Sequence, residues 1–199
     1  MLPLGTLLPI FDLPIVPGLH YKKHDSIRYL DRISSAEIDS RPLLLMIICA
    51  HCPFVKHIEK EITSIASKYE NEIQTIAVSS NSLITHPQDG PENLLLQAQT
   101  HSWNFPYLMD FDQKLAKALR AACTPDFFLF APNSKGKHEL KYRGQLDEST
   151  PGNNLPVTGE FLRLALDALL KGEKVSPDQK PSLGCNIKWN PGQEPSWFS

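Results

Sequence analysis

The join at residues 42–69 limits the fold more than any other part of this sequence. There an unbroken apolar run passes through Cys49-Ala50-His51-Cys52-Pro53 straight into a helical pattern. Residues 42–48, PLLLMII, carry no polar side chain, as expected of a strand buried on both faces. After Pro53, Phe54, Val55, Ile58, Ile62, Ile65, Ala66 and Tyr69 recur at helical spacing. Lys56, His57, Glu59, Lys60 and Glu61 fall mostly on the other side. Proline is tolerated in a helix's first turn, so Pro53 marks the start. Ile73 to Ser79 is a second buried strand. Strand, helix and strand in this order predict a parallel pairing.

The rest of the chain supplies the remaining layers. Residues 80–91 read as a loop, followed by a helix from about Glu92 to Ser102 and a short strand at Tyr107 to Met109. Asp112 is the expected cap of a helix running to about Arg120. Phe127 to Phe130 and Glu139 to Tyr142, joined by a Gly-containing turn, predict a hairpin whose phenylalanines are core. Phe161 to Leu170 is a strongly apolar helix, with Thr158 its expected cap and Gly172 its stop. Residues 1–20 alternate proline with apolar residues and suit an extended edge segment or loose hairpin. The proline-rich tail carries Ile187, Trp189, Trp197 and Phe198, which must pack on something. The fold class is therefore α/β, a mixed sheet with helices on both faces. It is expected as one domain over 1–199, with an N-terminal extension at 1–25 and a packed tail at 173–199.

Charge and hydropathy exclude several classes. A formal net charge of -2 over 199 residues argues against nucleic acid or a membrane surface as partner. The longest apolar run, Leu43 to Cys49, is far short of the roughly 18 residues that span a bilayer. Met1 to Leu19 lacks a basic start, and Pro3, Pro9, Pro14 and Pro17 would break a signal-peptide helix, so a cytoplasmic protein is expected.

In that compartment a C-x-x-C at a strand-to-helix turn reads as a redox pair. A thiol there faces unpaired helix amides, which draw a free-cysteine pKa of about 8.5 into a range of roughly 3.5–7.5. His51 and Lys56 add positive charge. Two intervening residues keep both sulfurs on one turn, within reach of a disulfide. Cys49, coming first, is expected to be the more exposed and to attack; Cys52, one turn in, is expected to be partly buried and to resolve the mixed disulfide. Zinc would need two further ligands, and Cys123 and Cys185 do not form a second C-x-x-C, so no metal and no cofactor are expected.

Six stretches carry a family likeness: CAHCPFVK from Cys49, FPYLMD from Phe105, CTPDFFLF from Cys123, KYRGQLDES from Lys141, PVTGEFLRLALDALLKGE from Pro156 and PSLGCNIKW from Pro181. In these the chain resembles the thioredoxin-like, peroxiredoxin-like redoxins related to the alkyl hydroperoxide reductase/thiol-specific antioxidant group. The resemblance implies a thioredoxin fold with an N-terminal extension. It implies that Pro125 is a cis-proline facing Cys49 and Cys52, and that Thr124 before it offers backbone groups to a substrate chain. It makes Cys123 and Cys185 candidate accessory thiols, as a second resolving thiol or a mutual disulfide, against the plainer reading of two buried small residues.

A peroxidase of this group carries a threonine three residues before its reactive cysteine and an activating arginine. Three before Cys52 is Cys49, and three before Cys49 is Met46; Arg120 and Arg143 read as surface residues. The leading expectation is therefore thiol–disulfide exchange, with a protein or small-molecule disulfide as substrate and an electron donor the sequence does not name. The Ala-His dipeptide should make the pair a stronger oxidant than thioredoxin. A thiol peroxidase and a non-catalytic redox sensor or binding module are the alternatives.

Overall fold

The computed structural model describes residues 1–22 and 29–198. The part of the expected extension at 23–25 lies outside them. In chain order the elements are β1 (Asp12–Pro14), β2 (Arg32–Ser34), β3 (Leu43–Ile47), α1 (Pro53–Lys68), β4 (Gln74–Ser79), α2 (Pro91–Thr100) and β5 (Tyr107–Met109). There follow α3 (Lys114–Leu119), β6 (Cys123–Thr124), β7 (Asp126–Pro132), β8 (His138–Gly144), α4 (Glu160–Leu170) and β9 (Cys185–Asn186).

The central sheet runs β8-β7-β3-β4-β5. β3 pairs parallel with β4, Leu43 opposite Gln74, and antiparallel with β7, Leu45 opposite Phe128. The apolar run divides by parity, because successive side chains of a strand point to opposite faces. Leu44, Met46 and Ile48 join Phe127 and Leu129 in a core under α1 and α4. Leu43, Leu45 and Ile47 join Phe128 and Phe130 in a second core under α3, where Ile187 and Trp189 of the tail also pack. α1 buries Val55, Ile58, Ile62, Ile65 and Ala66, and truncating any of its isoleucines to alanine costs about 2–5 kcal/mol.

The N-terminal segment closes both edges of the sheet. Gly5 and Leu8 donate to Leu140 and His138 of β8 at 2.9 Å each. Val16 donates to Tyr107 of β5 at 2.8 Å. Such coverage protects edges that would otherwise pair with another chain.

Two caps differ from expectation. The residue in the N-cap position of α3 is Gln113, and of the helix amides Asp112 accepts that of Lys114, at 3.2 Å, while pairing with the Lys114 ammonium at 2.6 Å. Buried Asp110 accepts Leu115 and Ala116 at 3.2 and 2.9 Å. At α4 the N-cap is Gly159, with φ +65°, and Asp147 accepts the amides of Thr158 and Gly159 at 2.7 Å each. The Thr158 hydroxyl meets only Glu160, at 3.3 Å. In both places a carboxylate brought by an earlier loop takes orphan amides that a neighbouring side chain was expected to take.

Among the described residues no helix is long and apolar enough to cross a membrane.

Candidate active site

β3 delivers Cys49 and α1 begins at Pro53, so the C-x-x-C spans the turn between them and Cys52 is the N-cap. Pro53 is the exposed first helical residue. The Cys52 carbonyl accepts Lys56 at 3.0 Å, closing the first helical turn. The two thiols are neighbours whose ionisations are linked. Both are wholly buried, which corrects the expectation of a more exposed Cys49.

The turn is held by a residue that the sequence reading left in a loop. Asp89, with no exposed side chain, accepts the backbone amides of Ala50 and His51 at 3.0 Å each on Oδ1. Its Oδ2 accepts His51 Nδ1 at 2.5 Å and Asn81 Nδ2 at 2.8 Å. Gln97 donates to the Cys49 carbonyl at 3.2 Å and is itself gripped by Glu59 and Tyr107. The HPQDGP run carried one signal for this: a lone aspartate between two prolines, before a glycine. Nothing in the sequence aimed it at residue 50.

Each thiol moves the other's ionisation. That of Cys49 is held well above the ordinary range, first by Cys52 and then by burial and the nearby Asp89 carboxylate. Cys52 is drawn below the ordinary range, first by Cys49 and then, against its burial, by Thr124, the Val55 amide and Cys185. Its Sγ lies 3.2 Å from the Thr124 carbonyl oxygen, to which the neutral thiol donates. Of the two, Cys52, the N-cap residue of α1, is the one favoured as thiolate, where the sequence pointed to Cys49. His51 Nδ1 lies 3.8 Å from Cys49 Sγ but 2.5 Å from Asp89 Oδ2; Lys56 is exposed. These two line an open groove of about 360 Å³ with Ala50, Glu59, Asn93 and Gln97.

The opposite wall is the Thr124–Pro125 turn, whose peptide bond is cis. Thr124 Oγ1 lies 3.4 Å from Cys49 Sγ, a hydroxyl contact that the sequence did not announce. The Thr124 backbone, expected to be open to a substrate chain, is paired with the tail: Cys185 lies opposite Thr124 and Asn186 opposite Cys123. All four cysteines are free thiols. Cys185 is half-buried and packs against the cluster that holds Cys49 and Cys52. Cys123 is buried, faces Pro125 O at 3.6 Å, and is pushed up to about 12 by that burial. Arg143 is buried as well, not a surface residue; it lines a separate cavity with Cys123 and Asp126.

Cys49 Sγ, His51 Nδ1 and an Asp89 oxygen lie within 4.8 Å of one another and could hold a cation. Three ligands fall one short of a tetrahedral zinc set, and the Asp89 oxygens already accept four N–H donors.

The sequence matches the model of the AhpC/TSA family over residues 8–138. An uncharacterized conserved protein from Geobacillus kaustophilus, solved by crystallography, is 41% identical, with a TM-score of 0.85 over 96% of this chain and 95% of that one. Mycobacterium tuberculosis AhpC is 20% identical, with a TM-score of 0.58 over 87% of this chain and 96% of its own. A thiol-disulfide oxidoreductase from Bacteroides fragilis is 18% identical, with a TM-score of 0.56 over 84% of this chain and 98% of its own. No curated protein matches the sequence. The fold is thus thioredoxin-like, as the sequence resemblance implied.

Proposed function

The chain belongs to the AhpC/TSA family, and on that premise we propose that it is a thiol–disulfide oxidoreductase cycling Cys49 and Cys52 between dithiol and disulfide. The observation that carries this reading is the pair of free thiols at the start of α1, both against Thr124 of the cis-Pro125 turn, with Cys52 favoured as thiolate. Thiol exchange needs a thiolate, a partner thiol and access.

The Cys52 thiolate attacks one sulfur of a substrate disulfide. A Cys52–substrate bond forms, the substrate S–S bond breaks, and one substrate thiolate leaves. Cys49 then gives up its proton and attacks Cys52 Sγ. The Cys49–Cys52 bond closes, and the second substrate thiolate departs. The chain ends oxidised by two electrons and the substrate reduced by two. The groove lined by Ala50 and His51 runs beside the C-x-x-C turn, and the disulfide reaches Cys52 when that turn opens toward it. An external thiol donor restores the dithiol.

The test is reduction of insulin by dithiothreitol. The native chain accelerates it, and Cys49→Ser and Cys52→Ser each return the rate to that of dithiothreitol alone. The reading fails if both variants keep the native rate. It also fails if the reduced chain leaves insulin untouched while consuming hydrogen peroxide rapidly with sulfenate on Cys52.

A further inference from the structure

We propose that Cys185 is the third thiol of this site, the one that carries electrons from an external thiol donor to the Cys49/Cys52 pair by forming a transient Cys52–Cys185 disulfide. The inference rests on the dithiol reading above and adds the route by which the pair is recharged.

The geometry begins with access. Cys49 and Cys52 are wholly buried, and an attacking thiolate must reach a sulfur along the axis of the bond it breaks. Cys185 is half-buried and therefore the outermost thiol touching the pair. Cys52 donates to the Thr124 carbonyl at 3.2 Å, Cys185 pairs opposite that same Thr124, and Cys185 packs against the cluster that holds both Cys49 and Cys52.

The tail is built to hold Cys185 there. β9 pairs antiparallel with β6, Cys185 opposite Thr124, directly before cis-Pro125. That edge is where a substrate chain was expected to lie, so the tail takes a substrate's place and points a cysteine at Cys52. Gly184 makes the approach possible: a Cβ there would stand 2.1 Å from the Thr124 carbonyl oxygen. Beyond Cys185 the strap is pinned. Ile187 donates to Ala122 at 3.0 Å, Ser82 donates to Lys188 O at 2.7 Å, and Lys188 donates to Asn81 Oδ1 at 2.9 Å. Asn81 also grips Asp89, so the strap and the C-x-x-C turn share one support.

The exchange balances without a further reagent until the donor enters. In the oxidised chain the Cys185 thiolate attacks Cys52 Sγ. The Cys52–Cys185 bond forms, the Cys49–Cys52 bond breaks, and Cys49 leaves as a thiolate and takes a proton. No electron enters; the disulfide has moved outward. A donor thiolate then attacks Cys185 Sγ, a donor–Cys185 bond forms, and Cys52 leaves. Cys52 is the better leaving group of the two, because the same donors that hold its ionisation down stabilise it as it departs. A second donor thiol releases Cys185, giving an oxidised donor and a fully reduced chain.

Two measurements on the full chain test this. Cys49→Ser keeps Cys52 and Cys185, and one equivalent of diamide should convert it to an intramolecular Cys52–Cys185 disulfide, seen by non-reducing peptide mapping. Dithiothreitol should reduce the oxidised Cys185→Ser chain at least tenfold more slowly than the oxidised native chain. The proposal is overturned if Cys49→Ser yields only intermolecular dimers or unlinked thiols, or if Cys185→Ser is reduced at the native rate. In either case a native chain that still forms Cys49–Cys52 leaves the dithiol reading standing; a native chain that forms no such bond removes both.

Discussion

The Asp89 carboxylate holds His51 twice, by its backbone amide at 3.0 Å and by its ring Nδ1 at 2.5 Å. Through the first contact and its twin at Ala50 it fixes both inner residues of the C-x-x-C turn. Asp89→Ala leaves those buried donors without a partner, at a cost of about 1–3 kcal/mol for each left unsatisfied. The variant should melt well below the native chain and should lose insulin reduction. Asp89→Asn keeps an acceptor oxygen and should lose less. An Asp89→Ala chain with the native melting temperature would refute this role.

Cys52 should titrate as a thiolate on the acid side of neutrality. Its ionisation lies below the ordinary thiol range while those of Cys49, Cys123 and Cys185 lie above it. Absorbance at 240 nm should therefore rise by one thiolate below pH 7 and stay flat until strongly alkaline pH. Cys52→Ser should abolish that step. Cys49→Ala should move it to higher pH, because Cys49 is the largest influence lowering it and alanine has no donor to replace it. Alkylation by iodoacetamide at pH 6 should fall on the order of tenfold in Cys52→Ser. A step that survives in Cys52→Ser assigns the thiolate elsewhere.

Asp126 gives stability a pH dependence. It is wholly buried after cis-Pro125, and that burial raises its carboxyl to about 7 although Ser182 donates to it at 2.6 Å. The folded chain therefore keeps a proton that the unfolded chain releases near pH 4. The resulting stability is complete below that pH and is lost as pH rises through about 7. A rise of about three units corresponds to roughly 4 kcal/mol at most. Thermal melts should show the native chain losing stability between pH 5 and pH 8, with Asp126→Asn removing most of that slope. Equal slopes in the two chains would dismiss Asp126 as the cause.

Much of the fold was legible because its signals are local. The run at 42–48 could only be a doubly buried strand, and the isoleucines after Pro53 repeat at helical spacing whatever surrounds them. The hairpin announced itself by alternation and a glycine turn. What the sequence hid was mostly carried by carboxylates. Asp89 clamps a turn reached only through the tertiary fold, while Asp110 and Asp147 reach helix starts past the adjacent cap candidates Asp112 and Thr158, so the nearest polar residue misled. The burial of the two thiols was hidden for a similar reason. Order along the chain suggested that the first would be the more exposed. The fold instead buries both, and the helix register makes the second the N-cap residue. Arg143 looked like surface because arginine usually is, yet it lies buried beside Asp126.

The strap that closes the site also has a date of birth. All five strands of the central sheet are complete once Gly144 has been made, whereas Cys185 comes much later in the chain. At about 5–20 residues per second, a growing chain passes on the order of seconds with its sheet available and its Thr124 edge bare. During that interval another cysteine-bearing strand can occupy the edge that the tail later claims. The newborn protein is thus briefly open to partners that the finished one excludes.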